Sequence, residues 1–320
     1  MKYIIIDLEW NQSPLGKGTE LKELPFEIIE IGAVKLNELS EVVDEFHEYI
    51  KPQVYEELHF KTQELLNIQL EQLESACEFK EVIKRFFEWC GENYFFCTWG
   101  AMDLTEIQRN LHYYELDQYI VGPIKYYDVQ KLFSLQYEGK KIPHTLEYAV
   151  DFLGMDKQDS FHSAIHDARY TAKIFRLIEN QIRKNYSIDC YRNPKSKKEE
   201  IYVVYDSYSK YISSEFTSKE EAIEDKDVKS SICYLCGKKA AKKIKWFSTN
   251  TKNYYCLAYC KTHGYLKGKL RMKRTGSGKV YAIKIMKIVD EEGASLIKEK
   301  QEQQRTKRKE RRSRRKKTLE

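Results

Sequence analysis

One short run near the start of the chain, Tyr3-Ile-Ile-Ile-Asp-Leu-Glu-Trp10, constrains the fold more than any other feature. Its β-branched and aromatic residues read as a buried strand over Tyr3 to Leu8. Residues two apart in a strand point to the same side, so Asp7 and Glu9 leave the strand's end together. Two carboxylates held side by side repel, and without a cation one of them must keep its proton. A divalent metal is the natural partner, and an all-carboxylate site suits hard Mg²⁺ or Mn²⁺. In a chain that is 32% charged, however, an Asp-x-Glu pair taken alone is a weak signal, since most such pairs are solvated surface.

A third carboxylate follows another apolar strand. Asn93 to Trp99 is apolar, Gly100 breaks it, and Asp103 opens the amphipathic segment Leu104 to Tyr114. Asp103 then sits at a strand-to-helix junction, where it is either a site carboxylate or simply a helix N-cap. The third piece is Phe161-His-Ser-Ala-Ile-His-Asp-Ala168. Ser163 to Glu179 carries a helical stripe of Ala164, Ala168, Ala172, Phe175 and Ile178, with His162 at its start and Asp167 about a turn and a half on. A histidine takes a proton from water near neutral pH, while a neighbouring carboxylate holds a metal on the same water. The alternatives are a capping His with a surface Asp, or an i, i+4 zinc pair of His162 and His166, for which no further ligand follows at the usual spacing.

Together, Asp7-Leu-Glu9, Trp99-Gly-Ala-Met-Asp103 and His162-Ser-Ala-Ile-His-Asp167 resemble the three motifs of the DEDDh superfamily of 3′–5′ exonucleases, over roughly residues 1–185. The segment from Glu23 to Leu36 is similar to that family's second strand, and residues 144–155 to the short helix before its third motif. The Trp-Gly-x-x-Asp form resembles the Eri-like exoribonuclease branch in particular. One departure is His166, which stands where family members often carry an acid before the metal-binding Asp. The resemblance implies that Asp7, Glu9, Asp103 and Asp167 bind two Mg²⁺ or Mn²⁺ ions, Asp7 bridging them, and that His162 is the general base. It further implies in-line attack on the terminal phosphodiester and release of nucleoside 5′-monophosphates. Glu30, in the neighbouring strand, is either a supporting acid behind the ligands or a polar position on a half-exposed strand.

Strands near 2–8, 26–36, 42–50, 94–99 and 125–129, the later ones alternating with helices, predict an α/β fold with a mixed sheet flanked by helices. The resemblance implies an RNase H-like architecture. The charge then changes along the chain: residues 1–185 are net −12, residues 186–297 net +10 and residues 298–320 net +8, making up the formal +6. An acidic catalytic domain would leave attraction of a polyanion mainly to the other half.

The expected boundary lies near 185–200, in a stretch rich in Pro, Ser, Asn and charge. Residues 186–230 read as a linker and a small ββα segment, Ser218-Lys-Glu-Glu221 being a capping-box start to its helix. Residues 231–290 read as a zinc-ribbon-like basic β module. Four of the chain's 8 cysteines fall within it, and Cys233, Cys236, Cys260 and His263 form Cys-x₂-Cys and Cys-x₂-His pairs that suit one structural Zn²⁺. Cys256 is the rival to Cys260, and a disulfide or chance clustering is the other alternative. Cys77, Cys90, Cys97 and Cys190 read as buried apolar residues. The N-terminus runs straight into the catalytic strand with no signal peptide, so reduced thiols, a cytoplasmic protein and no membrane partner are expected.

Two strand-like runs flank Thr275-Gly-Ser-Gly278, a hairpin signal. Lys267, Lys269, Arg271, Lys273 and Arg274 alternate with Leu and Met on the first run, and Tyr265 and Tyr281 are candidates for base stacking. This is a nucleic-acid-holding face, unless it is merely solvated. Residues 291–320 read as a basic tail, disordered or conditionally helical, that would bind phosphate or dock on a ribosome or another acidic partner. The expected activity is a metal-dependent 3′–5′ exonuclease with RNA favoured over DNA. The other class is a non-catalytic nucleic-acid or ribosome-binding protein, against which four mutually repelling carboxylates argue.

Overall fold

The opening apolar run forms β1, Lys2–Asn11, and the first half of the chain is assembled around it. The computed structural model describes residues 1–16, 18–65, 70–140, 142–157, 160–250 and 252–317, in two units, Met1–Arg192 and Asn193–Glu320. In the first unit β1 is followed by β2 (Glu27–Leu36), β3 (Val42–Tyr49), α1 (Phe60–Leu65), α2 (Leu70–Glu74) and α3 (Phe79–Cys90). Then come β4 (Tyr94–Thr98), α4 (Met102–Tyr113), β5 (Lys125–Asp128), α5 (Val129–Glu138), α6 (Leu146–Phe152), α7 (Ala164–Leu177), α8 (Asn180–Arg183) and β6 (Ser187–Ile188). The strands lie in the order β3-β2-β1-β4-β5-β6. β1 runs antiparallel to β2 but parallel to β4, which is parallel to β5. This is the mixed sheet flanked by helices that the sequence predicts.

Strand alternation splits the core between the two faces. Ile4, Ile6 and Leu8 pack with Val82 and Phe86 of α3 and Leu104, Ile107 and Leu111 of α4. Ile5 faces the other way, toward Val129 and Phe133 of α5, Ala149 of α6 and Ala168, Ala172 and Phe175 of α7. Asp7 is two residues beyond Ile5 and so emerges on the face that α7 covers. The α7 stripe is buried throughout, including Ala164 and Ile178. Its first turn lies so close to β2 that a Cβ on Gly32 would fall 2.1 Å from the carbonyl carbon of Ala164. Only glycine allows that approach.

The second unit contains β7 (Ile201–Val204), β8 (Ser209–Ile212), α9 (Lys219–Glu224), α10 (Lys226–Lys229), β9 (Ala241–Ser248), β10 (Asn253–Cys260), β11 (Gly264–Arg274), β12 (Val280–Val289) and α11 (Glu291–Lys317). Its six strands form one sheet, β7-β8-β12-β11-β10-β9. The 186–230 segment is therefore not a piece by itself: β8 pairs with β12, so the ββα strands extend the same sheet as the cysteine-bearing strands. Long-range pairing of this kind has no local signature, which is why the sequence suggests a separate segment. At α9 the Ser218 hydroxyl accepts the Glu221 N–H at 3.1 Å, while the Glu221 carboxylate reaches the N–H of Thr217 rather than that of Ser218.

One further expectation is corrected: Cys90, Cys97 and Cys190 are buried, but Cys77 is exposed. In the tail α11 runs as far as Lys317, the last three residues lying outside the described residues. At its start Ala294 and Ile297 are buried against Leu257, Ile244 and Phe247 and anchor the first turns.

Candidate active site and metal centre

Three separate elements deliver the acidic cluster. Asp7 and Glu9 come from the end of β1, just where the pairing with β2 shifts register between Glu9 and Trp10. Such an irregularity bends a strand and re-aims its side chains. Asp103 is in the first turn of α4, and its Oδ1 accepts the backbone N–H of Leu8 at 3.3 Å, tying the helix start to β1 between the two acids. Asp167 is in the first turn of α7, and its Oδ2 accepts the N–H of His162 at 3.3 Å. His162 itself precedes the helix in a left-handed conformation, with φ +66°. A β-carbon there is strained, and such strain persists where the surroundings over-determine it.

Ligating atoms of Glu9, His162 and Asp167 all lie within 4.8 Å of one another. Burial, and then the neighbouring Asp103, Glu9, Asp167 and Glu30, hold the Asp7 carboxyl well above its usual range. Burial and the repulsion of Glu30, Asp167 and Asp103 raise Glu9 to about 8. Burial likewise raises Asp167 to about 6 and shifts Asp103 upward. Asp167 Oδ1 is buried without a hydrogen-bond partner among the described residues. An orphaned carboxylate oxygen among convergent acids fits hard divalent cations, which supply the missing positive charge. His166 Nδ1 donates to the Ser160 carbonyl at 3.1 Å, and His166 joins no metal-holding group among the described residues, so the His162 and His166 zinc pair does not form.

Glu30 is 0% exposed, which removes the half-exposed reading of its strand. It lies directly opposite Glu9 in the β1–β2 register. Its Oε1 accepts the N–H of Ala164 at 3.1 Å and faces Ser163 Oγ at 3.2 Å and His47 Nε2 at 2.8 Å. Sequence reasoning reached Glu30 but not these partners, which come from elements far apart in the chain.

A second cluster is built by two tight turns. Cys233 and Cys236 flank the turn before Gly237, whose N–H donates to the Cys233 carbonyl at 2.8 Å. Cys260 ends β10, and His263 precedes β11. Ligating atoms of these four residues lie within 4.8 Å of one another, with Cys236 Sγ and Cys260 Sγ 3.7 Å apart. Tetrahedral zinc with bonds of about 2.3 Å holds sulfurs roughly 3.8 Å apart, so the cluster fits that ion. The N–H groups of Thr262 and His263 help pull the Cys260 thiol down toward its thiolate. Cys256 is not in the group; burial raises its thiol to about 11, and its Sγ lies 2.4 Å from where a Cβ on Gly268 would be. The described cysteines are free, so a disulfide is not formed.

On β11, Lys267, Lys269, Arg271 and Lys273 alternate with the buried Leu266, Gly268, Leu270 and Met272 and so share one face. Arg274 falls on the other by the same alternation. Tyr281 is only 2% exposed and Tyr265 is packed against Tyr259, which removes Tyr281 as a stacking platform. The register adds residues the sequence did not single out: Lys287 stands opposite Lys267, and Lys300 of α11 lies over the ring of Tyr255, the partner of Lys269.

The RNase T exonuclease family model matches residues 4–175. The probable 3′–5′ exonuclease KapD of Bacillus subtilis is 29% identical over 180 residues, 55% of this chain and 83% of that protein. The 3′–5′ exoribonuclease 1 of Rattus norvegicus is 28% identical over 167 residues, 49% of this chain. The chain spans about half, 48%, of that relative's length. The nuclease domain of 3′hExo, a DEDDh family member crystallised with rAMP, superimposes with a TM-score of 0.48 and 24% identity over 55% of this chain and 90% of that one.

Proposed function

Since the chain belongs to the RNase T family of exonucleases, within the DEDDh 3′–5′ group, we propose that it hydrolyses single-stranded RNA from the 3′ end and releases nucleoside 5′-monophosphates. The observation that carries this reading is the convergence of Glu9, His162 and Asp167 within 4.8 Å, with Asp7 and Asp103 beside them. Asp7, Glu9, Asp103 and Asp167 would hold two Mg²⁺ or Mn²⁺ ions. When bound, such ions activate water and stabilise charge on the departing oxygen. His162, exposed at the mouth of the cluster, accepts a proton from the attacking water through its imidazole. The phosphorus–O3′ bond breaks opposite the attack, and the departing O3′ takes up a proton to become the new 3′ hydroxyl of the shortened strand. Asp167 holds His162 through the backbone N–H. RNA is favoured because the rat relative is named an exoribonuclease.

In the second unit, Cys233, Cys236, Cys260 and His263 would bind one structural Zn²⁺, stabilising the turns that set β10 beside β11. The basic face of β11, with Lys287 and Lys300, would attract the phosphate backbone of a long substrate, ribosomal RNA included. The test is a side-by-side digestion of 5′-labelled RNA and DNA oligonucleotides of one sequence with Mn²⁺. Wild type should give a ladder of 3′-shortened RNA, with DNA slower, and Asp7→Ala and His162→Ala should give none. Equal inertness of wild type and Asp7→Ala on both polymers would overturn the reading.

A further inference from the structure

The first turn of α7 carries Asp167 and follows His162 directly, yet its N-cap residue Ser163 makes no side-chain cap to the helix. The first backbone N–H groups of a helix need acceptors. Here the acceptor comes from another element: Glu30 of β2 takes the N–H of Ala164 at 3.1 Å, and the Ser163 hydroxyl is turned to the same oxygen at 3.2 Å. A carboxylate at a helix N-terminus also favours the helix dipole. His47 of β3 backs Glu30 from the solvent side at 2.8 Å, its side chain 35% exposed against 1% for Glu30. Two residues along β2, Gly32 leaves the gap into which the Ala164 backbone fits. One face of β2 thus supplies both the acceptor and the space for the turn that holds His162 at φ +66°.

We propose that Glu30, backed by His47, is a positioning residue of the hydrolytic site: it stands in for the missing cap of α7 and so aims His162 and Asp167. The inference rests on the exonuclease reading above. It requires an acceptor at Glu30, not a negative charge, and this separates it from a fifth metal ligand. A glutamine presents an amide oxygen to the same N–H and O–H and carries no charge.

The experiment compares full-length wild type, Glu30→Ala, Glu30→Gln and Ser163→Ala in steady-state hydrolysis of a labelled oligonucleotide at saturating Mn²⁺, with thermal melting of each. Glu30→Ala should lower kcat about 100-fold, the size of a small misplacement of reacting groups, with KM within about twofold. Glu30→Gln should recover to within about fivefold of wild type, and Ser163→Ala should lose about threefold in kcat alone, having kept the Ala164 contact. A Glu30→Gln as slow as Glu30→Ala would overturn the inference, as would a Glu30→Ala as fast as wild type. If Glu30→Ala does not fold, the other two decide: a slow Glu30→Gln or an unchanged Ser163→Ala rejects it. A wild type inert toward RNA and DNA would instead reject the exonuclease reading.

Discussion

The acidic cluster of the first unit and the thiol cluster of the second solve the same problem, gathering ligands, by opposite routes. Glu9 comes from the first strand of its unit, and His162 and Asp167 from the start of its last long helix, with Asp103 of α4 bonded to the backbone of Leu8 beside Glu9. His162 and Asp167 are tied locally, but bringing them to Glu9 needs the sheet and α7 packed together. Cys233 with Cys236, and Cys260 with His263, are each brought close by a single turn, and only the meeting of the two turns needs β9 paired with β10. A site assembled by the fold depends on the fold, whereas a site assembled by turns stabilises it. The chemistry follows the same division: hard carboxylates that lower stability when metal is absent suit exchangeable ions, and soft thiolates suit a retained one.

The sharpest way to break this contrast is a crossed pair of substitutions. Asp167→Ala should reduce hydrolysis by about 1,000-fold or more, a loss of about 4 kcal/mol of transition-state stabilisation, with melting unchanged or slightly raised. Cys236→Ser should do the reverse: zinc content falls from one per chain toward none and the second unit loses part of the roughly 10–16 kcal/mol that structural zinc contributes. Hydrolysis of a short oligonucleotide should persist. If Cys236→Ser abolished that hydrolysis while Asp167→Ala spared it, the division of labour would be inverted.

A smaller effect tests the electrostatics. With burial raising Glu9 to about 8 and Asp167 to about 6, the folded, metal-free protein keeps protons that the unfolded chain has already released. Stability must then fall as pH rises from the ordinary carboxylate range through about 8, and it is regained below it. In buffer free of Mg²⁺ and Mn²⁺, the first unit should melt lower at pH 8 than at pH 5, by several degrees at about 2–4 °C per kcal/mol for a unit of this size. Mn²⁺ should raise the melting point more at pH 8 than at pH 5. A flat melting profile would show that the acids are not mutually repelling.

The smallest effect concerns the basic face. Lys267→Ala or Lys287→Ala should each lower the slope of log affinity against log salt by about 0.7 for a single-stranded substrate, without changing turnover of a short oligonucleotide. Unchanged slopes would mean that this face is only solvated.

Much of the first unit is legible in the chain itself, because its motifs are written in local periods: alternation through Tyr3 to Leu8, the helical stripe from Ala164 to Ile178, the break at Gly100. The Cys-x₂-Cys and Cys-x₂-His spacings are local in the same way. What could not be read depends on pairing between distant segments. The union of β8 with β12, the burial of Tyr281 and the placement of Lys287 opposite Lys267 follow from strand order and register, which composition does not encode.

The chain by itself therefore determined which residues carry chemistry, since side-chain type and short-range spacing decide what can hold a proton or a metal. Only the tertiary structure decided how they are aimed. The cap that Glu30 of β2 offers to Ala164, the gap at Gly32 and the left-handed turn at His162 exist where β2 meets the start of α7. Hydrogen bonds and close packing act over a few ångströms of space, and the sequence records only distance along the chain.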